Sequence, residues 1–230
     1  MRWFKKWIKR IFIGICYRSQ PKIVVASTGR SGSTMLFDAI ADSLIRERFG
    51  LDPTSRIGAC IRRLSVGYVT RIAELREAPC FVCKTHDLYE NPPNGKYAYI
   101  FIYGDPLESV ASVEKMVEKH GKDWFRRHQW HLKADGPYEA LYDRDVLNYE
   151  GQLLSWLSET RNDTFCVEFD DLWMMSKKLS DFVGFNVVLP PRRRRNSMPK
   201  PPSQERQIFS HLRALKNKLK DKYESRAMYP

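Results

Sequence analysis

Gly29-Arg30-Ser31-Gly32-Ser33-Thr34 puts two glycines, one cation and three hydroxyls into six residues. That mixture suits an anion. Backbone N–H groups turned inward between the glycines form a nest for phosphate-type oxygens, and a helix starting directly behind adds the positive end of its dipole. Gly32 permits a conformation and a close approach that a side chain forbids. The hydroxyls of Ser31, Ser33 and Thr34 donate further hydrogen bonds, and Arg30 contributes permanent charge. An ordinary ATP-binding loop places lysine after its last glycine. Here Ser33 occupies that position and the first glycine stands too close, so the anion is met without that lysine, and the pattern requires no metal.

Two further stretches carry chemistry. Cys83-Lys84-Thr85-His86-Asp87 closes an apolar run, and Lys84 and His86, two apart on a strand, project to the same side. A neutral imidazole accepts a proton from a hydroxyl near pH 7, and a lysine steadies charge on a leaving oxygen. Asp87 and Glu168 are the next candidate bases. Gly104 to Ser112, GDPLESVAS, follows another apolar run; a helix opened by Pro106 presents Ser109 and Ser112 in its first turns, where a second phosphate has a place.

These motifs need positioning elements. Lys22–Thr28 is a β-branched run that ends at a glycine, as a buried strand does. Ser33–Arg46 repeats Met35/Leu36, Ala39/Ile40 and Leu44 at helical spacing. Cys80–Thr85 and Tyr97–Tyr103 read as strands, with a helical stretch containing VGYVTRIAELREA ahead of them. A helix over Pro106–Lys119 follows, then residues 119–145, polar and aromatic without clear periodicity, the expected lid or acceptor site. There Trp124, Phe125, His128, Trp130 and His131 either line a sugar or lipid site or pack a small cap. A helix over Val146–Thr160, a strand over Thr164–Phe169 and a helix over Asp170–Phe182 complete the rhythm. The alternation predicts a three-layer α/β domain with a central, mainly parallel sheet, whose strand-loop-helix holds the glycines at the carboxyl ends of the strands.

With 230 residues the chain fits one domain, divided as a basic amphipathic segment (1–20), the α/β domain (21–190) and a basic linker with a final helix (191–230). A net charge of +12 favours anionic partners. No zinc finger, helix-turn-helix or RNA-reading motif accompanies it, so nucleic acid is not expected. Five scattered cysteines argue against a disulfide framework and for a reducing compartment, with cytoplasm the default. Cys80 and Cys83 are expected as two buried strand residues on opposite faces rather than a metal or redox pair. The N-terminal segment pairs apolar residues every four positions among bases: either a helix lying on an acidic membrane surface or one packed onto the domain. Its uninterrupted apolar part is too short to span a bilayer. In the tail, Ser203 is expected to cap a helix whose Ile208/Phe209, Leu212, Leu215 and Leu219 share a face.

Taken in order, the chain resembles a sulfotransferase that uses 3'-phosphoadenosine 5'-phosphosulfate (PAPS). GRSGST from Gly29 to Thr34 resembles that family's 5'-phosphosulfate loop, Lys84-Thr85-His86 its Lys-Thr-His strand end, and GDPLESVAS its 3'-phosphate element, closed by a serine at Ser112. VEFDDLW from Val167 and LSDFVGF from Leu179 resemble a later strand-helix segment. The resemblance spans about Lys22 to Phe185. It implies PAPS as donor, adenosine 3',5'-bisphosphate as product, no metal, and a hydroxyl acceptor on a glycan, lipid or small molecule. It makes His86 the general base, has Arg30 hold the 5'-phosphate or bridging oxygen, and puts Gly29, Ser31, Gly32, Ser33, Thr34 and Ser112 on the nucleotide. Gly104 stands where an arginine usually grips the 3'-phosphate, which makes Arg192 to Arg195 the candidate replacement. Two other readings stay open: an ATP- and magnesium-dependent kinase using Asp87 or Asp105, and an inactive nucleotide- or anion-binding protein of the same fold.

Overall fold

A computed structural model describes residues 2–17, 20–90, 92–159, 161–192 and 207–227. The chain runs α1 (Arg2–Cys16), β1 (Lys22–Ser27), α2 (Ser33–Phe49), α3 (Arg56–Ser65), β2 (Val66–Tyr68), β3 (Val82–Lys84), β4 (Tyr97–Tyr103), α4 (Pro106–His120), α5 (Lys122–Leu132), α6 (Tyr149–Leu157), β5 (Thr164–Glu168), α7 (Ser176–Val183) and α8 (Gln207–Ala227). The five strands form one parallel sheet in the order β2-β3-β1-β4-β5. β1 therefore lies at the centre, with the turn that follows it between two neighbours that run the same way.

Alternation along the strands separates two cores. Val24, Ala26, Tyr99, Phe101 and Tyr103 face one side, where Leu153 and Trp156 of α6 and Leu212 and Leu219 of α8 cover them. Ile23, Val25, Ile100 and Ile102 face the other, under Leu36, Ile40 and Leu44 of α2 and Leu179 of α7. Both faces being covered is what a parallel sheet requires, and it gives the expected three layers. A third cluster joins α4 to α5 through Val110, Val113, Phe125 and Leu132.

Three expectations are corrected. VGY within the supposed helix is the edge strand β2, held by pairing Val66 to Val82 and Tyr68 to Lys84; only a short 3-10 turn, Ile72–Arg76, follows it. The supposed irregular stretch contains α5, which buries Phe125, His128, Gln129 and Leu132 along one face. Cys80 and Cys83 form a disulfide, because the strand begins only at Val82 and Cys80 sits in the preceding turn, where strand alternation does not apply. That pairing removes the cysteine argument for a reducing compartment. Ser203 and Arg193 to Arg195 lie outside the described residues. Among the described residues no helix is long and apolar enough to cross a membrane.

The terminal helices both pack on the domain. Phe12, Ile13 and Cys16 of α1 join the α2 side of the core. On the opposite side α8 buries Phe209, Leu212 and Leu219 and ties down two strand ends. Lys216 and Lys220 both pair with Glu168, and Arg213 pairs with Asp105 at 2.6 Å.

Candidate active site

The turns at the carboxyl ends of β1, β3, β4 and β5 border one cleft of about 1060 Å³. Arg30, Gly32, Ser33, Thr34, Lys84, His86 and Ser112 all line it. Gly29 and Ser31 stand behind its wall. The Ser31 hydroxyl is fully buried and donates to the Thr28 carbonyl at 2.5 Å, so it fastens the loop to the strand. A Cβ on Gly29 would lie 3.0 Å from His128 Nε2 and from Leu132; the missing side chain lets α5 close onto the loop.

Loop shape rests on two left-handed residues. Gly32 has φ 85° as it enters α2, and a Cβ there would run into the Phe169 ring. Arg30 adopts φ 62° although it is not glycine, a conformation that persists only where surrounding contacts hold it. One such contact is visible: Arg30 Nε donates to Ser112 Oγ at 2.9 Å, joining the glycine loop to α4. Lys84 Nζ donates to Thr34 Oγ1 at 2.6 Å, joining the end of β3 to the start of α2. The two anion elements and the Lys-Thr-His strand end therefore meet.

His86 is 9% exposed. Its Nδ1 lies 3.2 Å from the Ser27 carbonyl and 3.0 Å from the Ser27 hydroxyl. A carbonyl only accepts, so Nδ1 carries the proton and Nε2 is the acceptor nitrogen. Burial, then the Lys84 charge, lowers the pKa to about 4. The ring is neutral across the physiological range. Burial, opposed by Asp38 and assisted by Arg30, also pulls Lys84 below the ordinary lysine value.

The segment bearing His86 is clamped from behind. Gln152 Nε2 donates to the His86 carbonyl at 2.6 Å, and Trp156 Nε1 to the Asp87 carbonyl at 3.1 Å. Asp87 accepts from the Ile72 N–H at 2.7 Å and pairs with Lys133 at 2.7 Å. Asp105 caps α4, accepting from the N–H groups of Leu107 and Glu108, and also holds Arg213. With Glu168 held by α8, Asp87 and Glu168 are both committed to structural partners.

Beyond the expected residues, Lys115 lies one turn past Ser112 in the cleft wall, and Trp173, Phe169 and Val188 to Pro191 form another side. Trp173 donates from Nε1 to the Pro190 carbonyl at 2.9 Å and meets Phe169 edge-on at 5.3 Å. Arg192 lies over the Trp173 ring and pairs with Asp170. Trp124 and His128, stacked at 4.8 Å, also line the cleft. The His128 ring lies 6.0 Å from that of His86, and burial followed by the His86 interaction lowers its pKa to about 3. Phe125 instead packs in the helical cluster, Trp130 is exposed, and His131 meets Tyr68 edge-on. Ser109 is buried away from the cleft. Among the described residues no His, Cys, Asp and Glu cluster has metal-binding geometry.

No protein-family model and no curated protein sequence matches the chain. Solved structures do match. Mouse sulfotransferase SULT7A1 complexed with PAP superposes with a TM-score of 0.46 at 16% identity, covering 73% of this chain and 60% of that one. Retinol dehydratase in complex with androsterone and the inactive cofactor PAP gives 0.43 at 13% identity, over 90% and 66%. The sulfotransferase domain from the curacin biosynthetic pathway gives 0.40 at 16%, over 75% and 76%. The chain spans about 60% of the length of the first of these.

Proposed function

We propose that this chain is a sulfotransferase, taking the sulfuryl group of PAPS to a hydroxyl of a glycan, lipid or small molecule. One observation carries the proposal: the glycine loop and Ser112 are joined through Arg30 in the same cleft that holds Lys84 and a neutral His86. A nucleotide phosphorylated at both the 3' and 5' positions needs two anion sites and a flat wall for its base. The loop N–H groups, Ser33, Thr34 and Arg30 fit the first anion. Ser112, Lys115 and the same Arg30 fit the second, in place of the side chain that Gly104 lacks. Trp173 and Phe169 offer aromatic surface.

When bound, PAPS supplies an activated sulfuryl group; the protein positions it and handles one proton. His86 Nε2 accepts that proton from the acceptor hydroxyl, while Nδ1–H stays on the Ser27 carbonyl, so the ring keeps its orientation as it becomes charged. Lys84 and Arg30 answer the negative charge that grows on the leaving oxygen. Because a group in flight spreads charge over its oxygens, positioning and cationic donors supply most of the rate enhancement. Trp124 and His128 line the cleft beside His86, where the acceptor would sit.

The kinase reading would need Asp87 or Asp105 to organise magnesium, and both carboxylates are already held by Lys133 and Arg213. Calorimetry or a thermal shift separates the readings. Adenosine 3',5'-bisphosphate should bind and raise the melting temperature; at about 100 times its dissociation constant it stabilises the fold by about 2.7 kcal/mol. AMP should bind far more weakly. A response only to ATP with magnesium would assign the cleft to a kinase, and no response to either would leave an inactive protein.

A further inference from the structure

We infer that α1 is an interfacial helix that seats the protein on a membrane rich in anionic lipid, with the cleft turned away from the bilayer. The helix has two faces of different fate. Phe12, Ile13 and Cys16 are spent on the core, and Lys9 Nζ anchors the helix to the Val66 carbonyl at 2.9 Å. The face beside them stays outside. Ile8, Ile11 and Ile15 are 37%, 43% and 77% exposed, and Trp7 is 48% exposed. Positions 8, 11 and 15 recur at helical spacing, so they form one apolar stripe about 10 Å long on a helix fixed to the domain.

The charge around that stripe selects its partner. Residues 1–20 contain six lysines and arginines and no acidic residue. Arg10 is exposed and pairs with Glu77 at 2.9 Å. Arg63 of α3 is close enough to Lys9 to lower its pKa, after the larger effect of burial, and Arg48 donates to the Cys16 carbonyl at 3.1 Å. Apolar side chains beside cations, on a helix lying along a surface, fit the boundary between acyl chains and acidic headgroups. A second copy of the chain would bring the same cations against these and be repelled.

The orientation follows from the contacts. Val66 opens β2, Phe81, which stacks on Tyr17 at 4.1 Å, precedes β3, and Arg48 lies in the last turn of α2. All three lie at the amino ends of the strands, whereas the cleft lies at their carboxyl ends. The length of β1, six residues, or about 20 Å, separates them. The helix therefore docks without covering the cleft.

The test is sedimentation of the full chain with vesicles of phosphatidylcholine containing about 30% phosphatidylserine, and with phosphatidylcholine alone. Binding should require phosphatidylserine and fall away in 0.5 M salt. Ile11→Asp with Ile15→Asp should weaken it at least about tenfold, and Arg10→Gln about fivefold, with melting temperatures unchanged because these side chains are exposed. Should the isoleucine variant fail to fold, quenching of Trp7 by brominated lipid, read as wild type against Trp7→Phe, gives the same answer. Adenosine bisphosphate affinity should be the same on and off vesicles. Absence of binding to acidic vesicles, or binding indifferent to the isoleucine substitutions, overturns the inference; so does a dimer in sedimentation velocity that those substitutions abolish, which would make the face a protein interface.

Discussion

Lowering the pH should destabilise the fold through its two cleft histidines. In the unfolded chain each has an ordinary pKa near 6.5, whereas in the fold burial holds His86 at about 4 and His128 at about 3. A depressed folded-state pKa means that stability is complete above about pH 6.5 and is lost as the pH falls toward the folded value, because only the unfolded chain takes up the proton. At pH 7.5 the penalty is negligible. At pH 5 the unfolded form of each histidine is about 97% protonated and its folded form nearly neutral, which amounts to about 2 kcal/mol per ring. Urea unfolding of wild type, His86→Gln and His128→Gln at pH 7.5 and 5.0 measures it. Each variant should lose about 2 kcal/mol less between the two pH values than wild type does; carboxylates titrate in all three proteins and cancel in the comparison. An identical loss in wild type and both variants would refute the burial argument and the neutral-base assignment built on it. The same pKa places the acid limb of any His86-dependent rate near pH 4 rather than 6.5.

Three further outcomes are expected. Arg30→Ala removes a charge-assisted contact worth about 1.5 to 3 kcal/mol, so bisphosphate affinity measured by calorimetry should fall roughly tenfold to a hundredfold, while AMP, which keeps the 5'-phosphate and lacks the 3'-phosphate, should lose a smaller part of its affinity. Gly32→Ala combines positive φ with a collision against Phe169; the loop should be disrupted at a cost of about 1 to 3 kcal/mol, seen as a lower melting temperature and lost ligand response. Glu168→Ala leaves Lys216 and Lys220 without their shared carboxylate and should destabilise the fold by roughly 3 kcal/mol in chemical denaturation, an effect that Glu168→Gln only partly relieves.

The elements the sequence reveals are those whose period is set by apolar side chains alone. β4 matches its expected span to the residue, and the helix beginning at Pro106 ends within one residue of its expected end. α5 is harder to read because its buried face mixes Phe125 and Leu132 with the polar His128 and Gln129, so few apolar side chains mark the helix. β2 is three residues long and exists through its pairing with β3, a contact no local pattern contains. The glycine loop, Lys84 and His86 were legible as chemistry, but the Arg30–Ser112 bond links residues 82 apart. Gln152 left a detectable trace, a polar residue on the apolar face of a helix, fully buried in the structure, where it holds the His86 carbonyl. Lys115 left none.

The docking of α8 sets a timetable for synthesis. Glu168 and the Lys216 that neutralises it are separated by 48 positions, and a ribosome adds about 5 to 20 residues per second. For roughly 2 to 10 seconds the finished sheet therefore waits with its Tyr103 face covered by α6 alone and the Asp105 and Glu168 carboxylates lacking their α8 cations. The domain cannot close in step with translation. Throughout that interval the nascent chain presents an apolar surface to whatever chaperones surround the ribosome exit, and a stall between β5 and α8 would hold it in its most aggregation-prone form.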